Sequence, residues 1–175
     1  MKYSYFLLLF MYLYSPKSHG QKKAQDPYLI RYIDTLNDQS GYKNTKGDVV
    51  IPLGKYVTCY TDTFSTYALV SLKRKGLVGI DRNENILYNV FIFDNGPDDA
   101  SNGLFRIIKA GKIGYANIHT GKIMIKPQYD CAWPFKNGEA KVSVECKKTT
   151  YLEHTSWQSD HWYSIDTTGK RIRNP

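Results

Sequence analysis

The clearest alternation in the chain runs through Glu139 to Val144, where Ala140, Val142 and Val144 interleave with Glu139, Lys141 and Ser143. A period of two predicts an antiparallel strand with one face buried. Upstream, Lys112 to Ile118 sets Ile113, Tyr115 and Asn117 against Gly114, Ala116 and Ile118, and Lys122 to Lys126 puts Ile123 and Ile125 on one face. His119-Thr120-Gly121 is a turn between them, Pro127 ends the second run because it cannot donate to a ladder, and Asn137-Gly138 turns the chain after an aromatic extended stretch, Tyr129 to Phe135. The region from Gly41 to Val70 fits the same frame, with Thr45-Lys46-Gly47 as its turn and Val49-Val50-Ile51 before Pro52. A middle copy starts at Gly76, turns at Arg82 to Asn85, breaks at Asp94-Asn95-Gly96-Pro97 and closes through Leu104 to Ile107.

These runs recur about every thirty-odd residues. Gly79-Ile80-Asp81 returns as Gly114-Tyr115-Ala116, Asn85-Ile86-Leu87 returns as Lys122-Ile123-Met124, and Tyr163 to Lys170 echoes both. A fixed period implies stacked copies of a unit too small to bury its apolar face alone. The expected fold is all-β: tandem small antiparallel β-meander repeats sharing a continuous core. Units fall at about 41–75, 76–110 and 111–146, with a half-unit at 162–172. Residues 21–40 form a lead-in whose Tyr28 to Leu36 pattern suits either a short helix or an edge strand. Residues 147–161 read as an insertion loop on the functional face.

Laid out in this order, the residues resemble the WG-repeat family, whose unit reads approximately Gly-Lys-Trp-Gly-Tyr-Ile-Asp, a Gly turn, Ile-Pro, Tyr-Asp, Ala, Phe, Gly, Ala and Val. Gly111-Lys112-Ile113-Gly114-Tyr115 matches with Ile113 in the tryptophan place. Gly121-Lys122, Ile125-Lys126-Pro127 (one residue inserted), Tyr129-Asp130, Ala132, Phe135, Gly138, Ala140 and Val142 follow in order. The resemblance covers about Gly41 to Ile172, and only Trp162 stands near the missing tryptophan. It implies a repeat architecture and a binding role in a bacterial protein. It carries over no catalytic residue.

The N-terminus changes the setting. Lys2, the apolar run Tyr5 to Tyr14, Ser15-Pro16 and the small residues around Ser18-His19-Gly20 have the layout of a secretory signal peptide, with cleavage expected after Gly20. The run is shorter than the roughly 20 apolar residues of a bilayer span, so no membrane span is expected in the mature chain. Export predicts the periplasm or the extracellular space. The net charge of +8 is scattered rather than patched, and export argues against nucleic acid as a partner. Three cysteines, Cys59, Cys131 and Cys146, would meet an oxidising compartment. Cys131 and Cys146 flank the Asn137-Gly138 turn with a register offset of about three positions. That offset strains a cross-strand bridge unless a bulge corrects it, so buried free thiols are expected ahead of a disulfide.

No chemical motif stands out. The histidines of Glu153-His154 and Asp160-His161 are seven apart, which matches no zinc spacing. Asp94 to Asp99 is oxygen-rich but lacks an EF-hand's alternating ligands, and its composition is turn chemistry. No nucleophile elbow, phosphate loop or zinc-peptidase helix is present, and no cofactor is expected. The positive signal is aromatic: Trp133, Tyr151, Trp157, Trp162 and Tyr163 crowd the last third. Trp133 and Tyr163 lie on alternating runs and are expected in the core; Trp157 has no such pattern and is expected at the surface. Trp157, Tyr151, His154 and His161 are therefore the candidate binding residues. The expected function is an exported noncatalytic module binding a protein or envelope polymer. The alternatives are a secreted cell-wall hydrolase, which would need paired carboxylates or a thiol with an imidazole, and a purely structural envelope component.

Overall fold

The computed structural model of the chain describes residues 26–151 and 154–173. The expected signal peptide and cleavage site lie outside those residues. Among the described residues every regular element is a strand. In chain order these are β1 (Leu29–Asp34), β2 (Gln39–Lys43), β3 (Val49–Ile51), β4 (Thr58–Cys59), β5 (Thr63–Phe64), β6 (Tyr67–Leu72), β7 (Gly76–Asp81), β8 (Ile86–Val90), β9 (Ile92–Phe93) and β10 (Gly96–Pro97). They continue with β11 (Leu104–Lys109), β12 (Lys112–Asn117), β13 (Ile123–Tyr129), β14 (Cys131–Ala132), β15 (Glu139–Ser143), β16 (Lys147–Tyr151), β17 (His154–Gln158), β18 (Tyr163–Asp166) and β19 (Arg171–Arg173). A four-stranded sheet, β3-β2-β1-β5, opens the array; a seven-stranded sheet, β13-β12-β11-β8-β7-β6-β4, forms its body; and a four-stranded sheet, β14-β15-β18-β19, closes it. The pairs β9–β10 and β16–β17 stand apart as two-stranded sheets.

Alternation feeds three successive cores. Leu29, Tyr42, Ile51 and Phe64 of the first part meet Ala68, Val70, Val78 and Ile80 from β6 and β7. The opposite faces of those two strands, Tyr67, Leu69 and Leu77, join Tyr88, Val90, Phe105, Ile107 and Ala116 in a middle core made by the seven-stranded sheet alone. The third core joins Leu104, Ile113, Tyr115 and Ile125 to Phe135, Ala140, Val142 and Ile165. A sheet fills a core with its own face only by curling. The curl is closed by tyrosine hydroxyls: Tyr67 donates to the Ile118 carbonyl, and Tyr88 donates to the Gly121 carbonyl at 2.9 Å. Gly121 is at φ +69, and a Cβ there would stand 2.6 Å from Cδ1 of the Tyr67 ring, so glycine serves both the turn and the closure.

Each hairpin thus has a face toward the preceding core and a face toward the following one. The turns fix the frame. Oδ1 of Asn44 accepts from the amides of Lys46 and Asp48, Asp81 from Asn83 and Asn85, Asn117 from His119 and Thr120, and Asp166 from Thr168 and Lys170. Four such side-chain caps at equivalent places are the repeat in its most literal form. They also correct the sequence alignment by one residue. Asp81 corresponds to Asn117, so Val78, not Gly79, is the counterpart of Gly114, and Gly79 is the counterpart of Tyr115. Register agrees, because Leu69 pairs with Gly79 where Arg106 pairs with Tyr115. Trp162 stands four residues before the capping Asp166, as Ile113 stands four before Asn117, and so takes the tryptophan place of the half-unit.

Three other expectations are corrected. The lead-in forms no helix: residues 29–34 are strand β1, paired on both sides by β2 and β5. Its Arg31 pairs with Tyr42 as Arg106 pairs with Tyr115, so the lead-in is the first strand of unit one. Residues 147–151 and 154–158 pair as the strands β16 and β17 rather than forming a loop. Cys131 and Cys146 are joined in a disulfide, with Cα atoms 5.9 Å apart. Cys131 pairs in register with Ser143, and the chain bends after β15 at Val144 and Glu145. That bend removes the offset that a straight strand would have carried. Cys59 is the free thiol, buried beside Ser40, and burial pushes its pKa up.

Candidate functional site

The last sheet shows what a repeat looks like when nothing stacks on it. In unit one, Tyr42 donates to Thr61 O at 2.8 Å and meets Phe64 edge-on at 5.3 Å. In unit three, Tyr115 donates to Trp133 O at 2.6 Å and meets Phe135 edge-on at 4.8 Å. The neighbouring arginines repeat as well: Arg31 reaches Cys59 O at 2.8 Å and Arg106 reaches Ala132 O at 3.2 Å. In the terminal sheet Lys141 pairs with Ser164 at the same place. Lysine replaces arginine and serine replaces tyrosine. With the small serine on its floor the outer face keeps a groove of about 460 Å³, lined by Trp133, Phe135, Lys136, Lys141 and Ser164.

Trp133 follows Ala132 on the outer side of this sheet and is 49% exposed, which overturns its expected place in the core. Its ring lies 5.2 Å from Trp157. Trp157 is half-buried, packs on the third core and meets Phe91 edge-on at 5.9 Å. The two tryptophans therefore exchange the positions expected of them: alternation along a two-residue strand points Trp133 outward, and the disulfide-anchored hairpin presses Trp157 inward. Tyr163 is half-buried against the third core, with the Arg171 guanidinium 4.4 Å from its ring centroid. Trp162, also half-buried, carries the Lys141 ammonium 5.4 Å from its ring centroid.

The candidate residues separate in space. His161 lines a second groove of about 480 Å³ with Glu145, Asp160, Trp162 and Tyr163, and its Nε2 lies 3.7 Å from the Glu145 carboxylate. Tyr151 and His154 pair with each other across the hairpin, and their side chains lie outside what the structure describes. No group of three or more metal-ligating side chains gathers among the described residues, and no helix among them is long and apolar enough to cross a membrane.

One constellation escapes the sequence pattern. Asp98, buried, accepts from the Arg106 backbone amide at 3.0 Å and from its Nε at 2.9 Å, and pairs with Nη2 as well. The guanidinium stacks 3.9 Å from the Phe91 ring centroid. The oxygen-rich Asp94 to Asp99 stretch is thus a strap pinned to β11 through Asp98. The signal in the sequence that points to it is Arg106, a charge inside the apolar run Leu104 to Ile108.

This architecture defines an all-β protein of tandem hairpin units that stack core upon core. Residues 113–145 match the family model of the WG containing repeat, so the third unit is a WG repeat, and the match supports a WG-repeat protein. No curated protein and no solved structure matches the chain.

Proposed function

We propose that this chain is an exported, noncatalytic repeat module of a bacterial envelope, binding a protein or an envelope polymer through its terminal sheet. The observation that carries the proposal is Trp133: a large ring half open to solvent, backed by Trp157 and set beside a groove. Exposed aromatics of this kind supply contact area at low ordering cost. Export is supported by the Cys131–Cys146 bridge, since such bonds persist in oxidising compartments. A hydrolase gains no comparable support from the described residues, where two cysteines are bonded to each other and the third is buried.

The test is binding of the labelled protein to envelopes prepared from its own organism. Trp133→Ala removes an exposed ring and leaves the cores intact, and it is expected to weaken retention at least tenfold. Retention at the wild-type level, with the same holding for a Trp157→Ala variant shown to be folded, rejects the terminal sheet as the contact surface.

A further inference from the structure

The terminal groove has a counterpart inside the molecule, and there a further segment of the chain supplies one wall. The Trp133 amide donates to Lys141 O at 2.9 Å; the Tyr60 amide donates to Leu69 O at 2.9 Å. Cys59 pairs with Val70 as Ala132 pairs with Val142. Tyr60 and Leu69 therefore stand in the first half of the array where Trp133 and Lys141 stand at its end. Tyr60 and Leu69 share the lining of a cavity of about 480 Å³ with the segment Pro97 to Ala100, which walls one side of it. The segment is acidic, with Asp98 and Asp99 in its middle. It is anchored by the Asp98 amide, which donates to Phe91 O at 2.9 Å, and by the Asp98 carboxylate on Arg106.

At the terminal groove the β16–β17 hairpin reaches Trp133 through Trp157, 5.2 Å away, but none of its described residues lines the groove. The groove differs from its counterpart in charge. Where the inner one presents Leu69, the outer presents Lys141, and Lys136 stands beside it. Both amines are exposed, and neither has a carboxylate within ion-pair distance among the described residues. Glu139, the acid on this face, is itself engaged. Ser164 removes the ring that Tyr42 and Tyr115 place at this position, and so leaves the floor open.

We infer that the terminal groove receives an extended acidic peptide segment of a partner protein, placed beside Trp133 as Pro97 to Ala100 is placed beside Tyr60. Its carboxylates meet Lys136 and Lys141. The internal precedent indicates polypeptide, and the two amines indicate acid. This rests on the binding-module reading and narrows its occupant.

The probe is a synthetic peptide copying residues 94–101 with blocked ends, titrated into the full chain with its disulfide intact. Tryptophan fluorescence and calorimetry follow binding at low salt. Saturable binding is expected, weakening as salt screens the charges. The double variant Lys136→Glu/Lys141→Glu should weaken it at least tenfold. Ser164→Tyr, which restores the residue of units one and three, should do the same by filling the groove. No binding, or binding that both variants leave unchanged, overturns the inference. A second titration uses polygalacturonate. If that polymer binds and the variants abolish its binding while the peptide fails, the acidic-peptide inference is overturned and the binding-module reading stands. If envelope retention is also insensitive to Trp133→Ala, the reading itself falls.

Discussion

The second and third units solve one packing problem in opposite ways. In unit three the ring entering the following core comes from β12, as Tyr115, and its partner on β13 is Ile125. In unit two the same place on β7 is Gly79, and the ring comes from the partner strand β8, as Tyr88. A Cβ on Gly79 would lie 2.5 Å from the Tyr88 ring, so the two side chains compete for one volume. The preceding position differs too. At Gly114 a Cβ would meet Ile125 O at 2.5 Å and Pro127 N at 2.6 Å, because β13 bulges over β12 between its pairings with Tyr115 and Ile113. Unit one repeats this: Gly41 faces Ile51 O and Pro52 C, the latter at 3.0 Å. Unit two has no proline and no bulge there; Val78 pairs with Asn89 one step beyond Gly79 with Tyr88, and valine fits. The glycine of the repeat is thus a consequence of the folded-over partner strand.

Forcing unit three toward unit two is expected to do most damage at Arg106. Its counterpart in unit two is Leu69, yet Arg106→Leu would leave Asp98 buried and without its partner. Breaking a buried pair from one side costs roughly 3–5 kcal/mol, and denaturant unfolding should report a loss of that size. Arg106→Leu with Asp98→Asn should recover part of it. A single-variant loss below about 1 kcal/mol would show that the strap contributes little to stability. Next comes Gly114→Ala. The clashing atoms are backbone, so relief requires moving β13, and about 3 kcal/mol is expected, near the top of the overpacking range.

Much of this architecture is legible in the order of the amino acids, and the part that is not has definite causes. Period-two alternation locates β12 and β15, the latter with Lys141 exposed between the buried Ala140 and Val142, and chain order alone carries the WG resemblance over the third unit. Aligning Gly79 with Gly114 misplaces the units by one residue because the two are glycines for different reasons: one clears space for a ring, the other for a backbone. The Asx-capped turns and the strand register reveal the offset. The disulfide is hidden by the bend at Val144 and Glu145, which hydrophobicity does not encode. The two tryptophans trade places because a two-residue strand carries too little periodicity to assign a face. Lys141 and Ser164 are individually ordinary in the sequence; their meaning comes from the register that sets them against Arg106 and Tyr115.

The exchange of rings between strands can be tested directly. Gly79→Tyr alone overpacks the middle core, and Tyr88→Ile alone empties it and drops the hydroxyl bond to Gly121 O. Each should cost about 2–3 kcal/mol. Together they recreate the unit-three arrangement, and the pair should recover at least about 1 kcal/mol relative to the sum of the singles. Strict additivity in that cycle would mean the two units are alike only in outline.

The smallest expected difference separates the units by pH. Units one and three cap their turns with the neutral side chains Asn44 and Asn117; unit two and the terminal half-unit use Asp81 and Asp166. Both carboxyls are held below the ordinary aspartate range. For Asp81 the leading cause is the hydrogen bond from the Asn85 side chain, and for Asp166 it is the Thr168 hydroxyl, with backbone amides assisting in each. A carboxyl with a depressed folded-state pKa contributes stability that is fully present above its unfolded value near 4 and is lost as pH falls through the lower folded value. Amide exchange at Asn83, Asn85, Thr168 and Lys170 should therefore accelerate, relative to the intrinsic rate, as pH drops below about 4. The same measurement at Lys46, Asp48, His119 and Thr120 should show no such step, because an asparagine cap does not titrate. Replacing Asp81 and Asp166 by Asn should remove the acid step and leave exchange at neutral pH little changed. A step that persists in that double variant would assign acid sensitivity to other carboxylates, with Glu84 next in line: burial raises its pKa, but hydrogen bonds from Lys55 and Tyr56 outweigh that and hold it low.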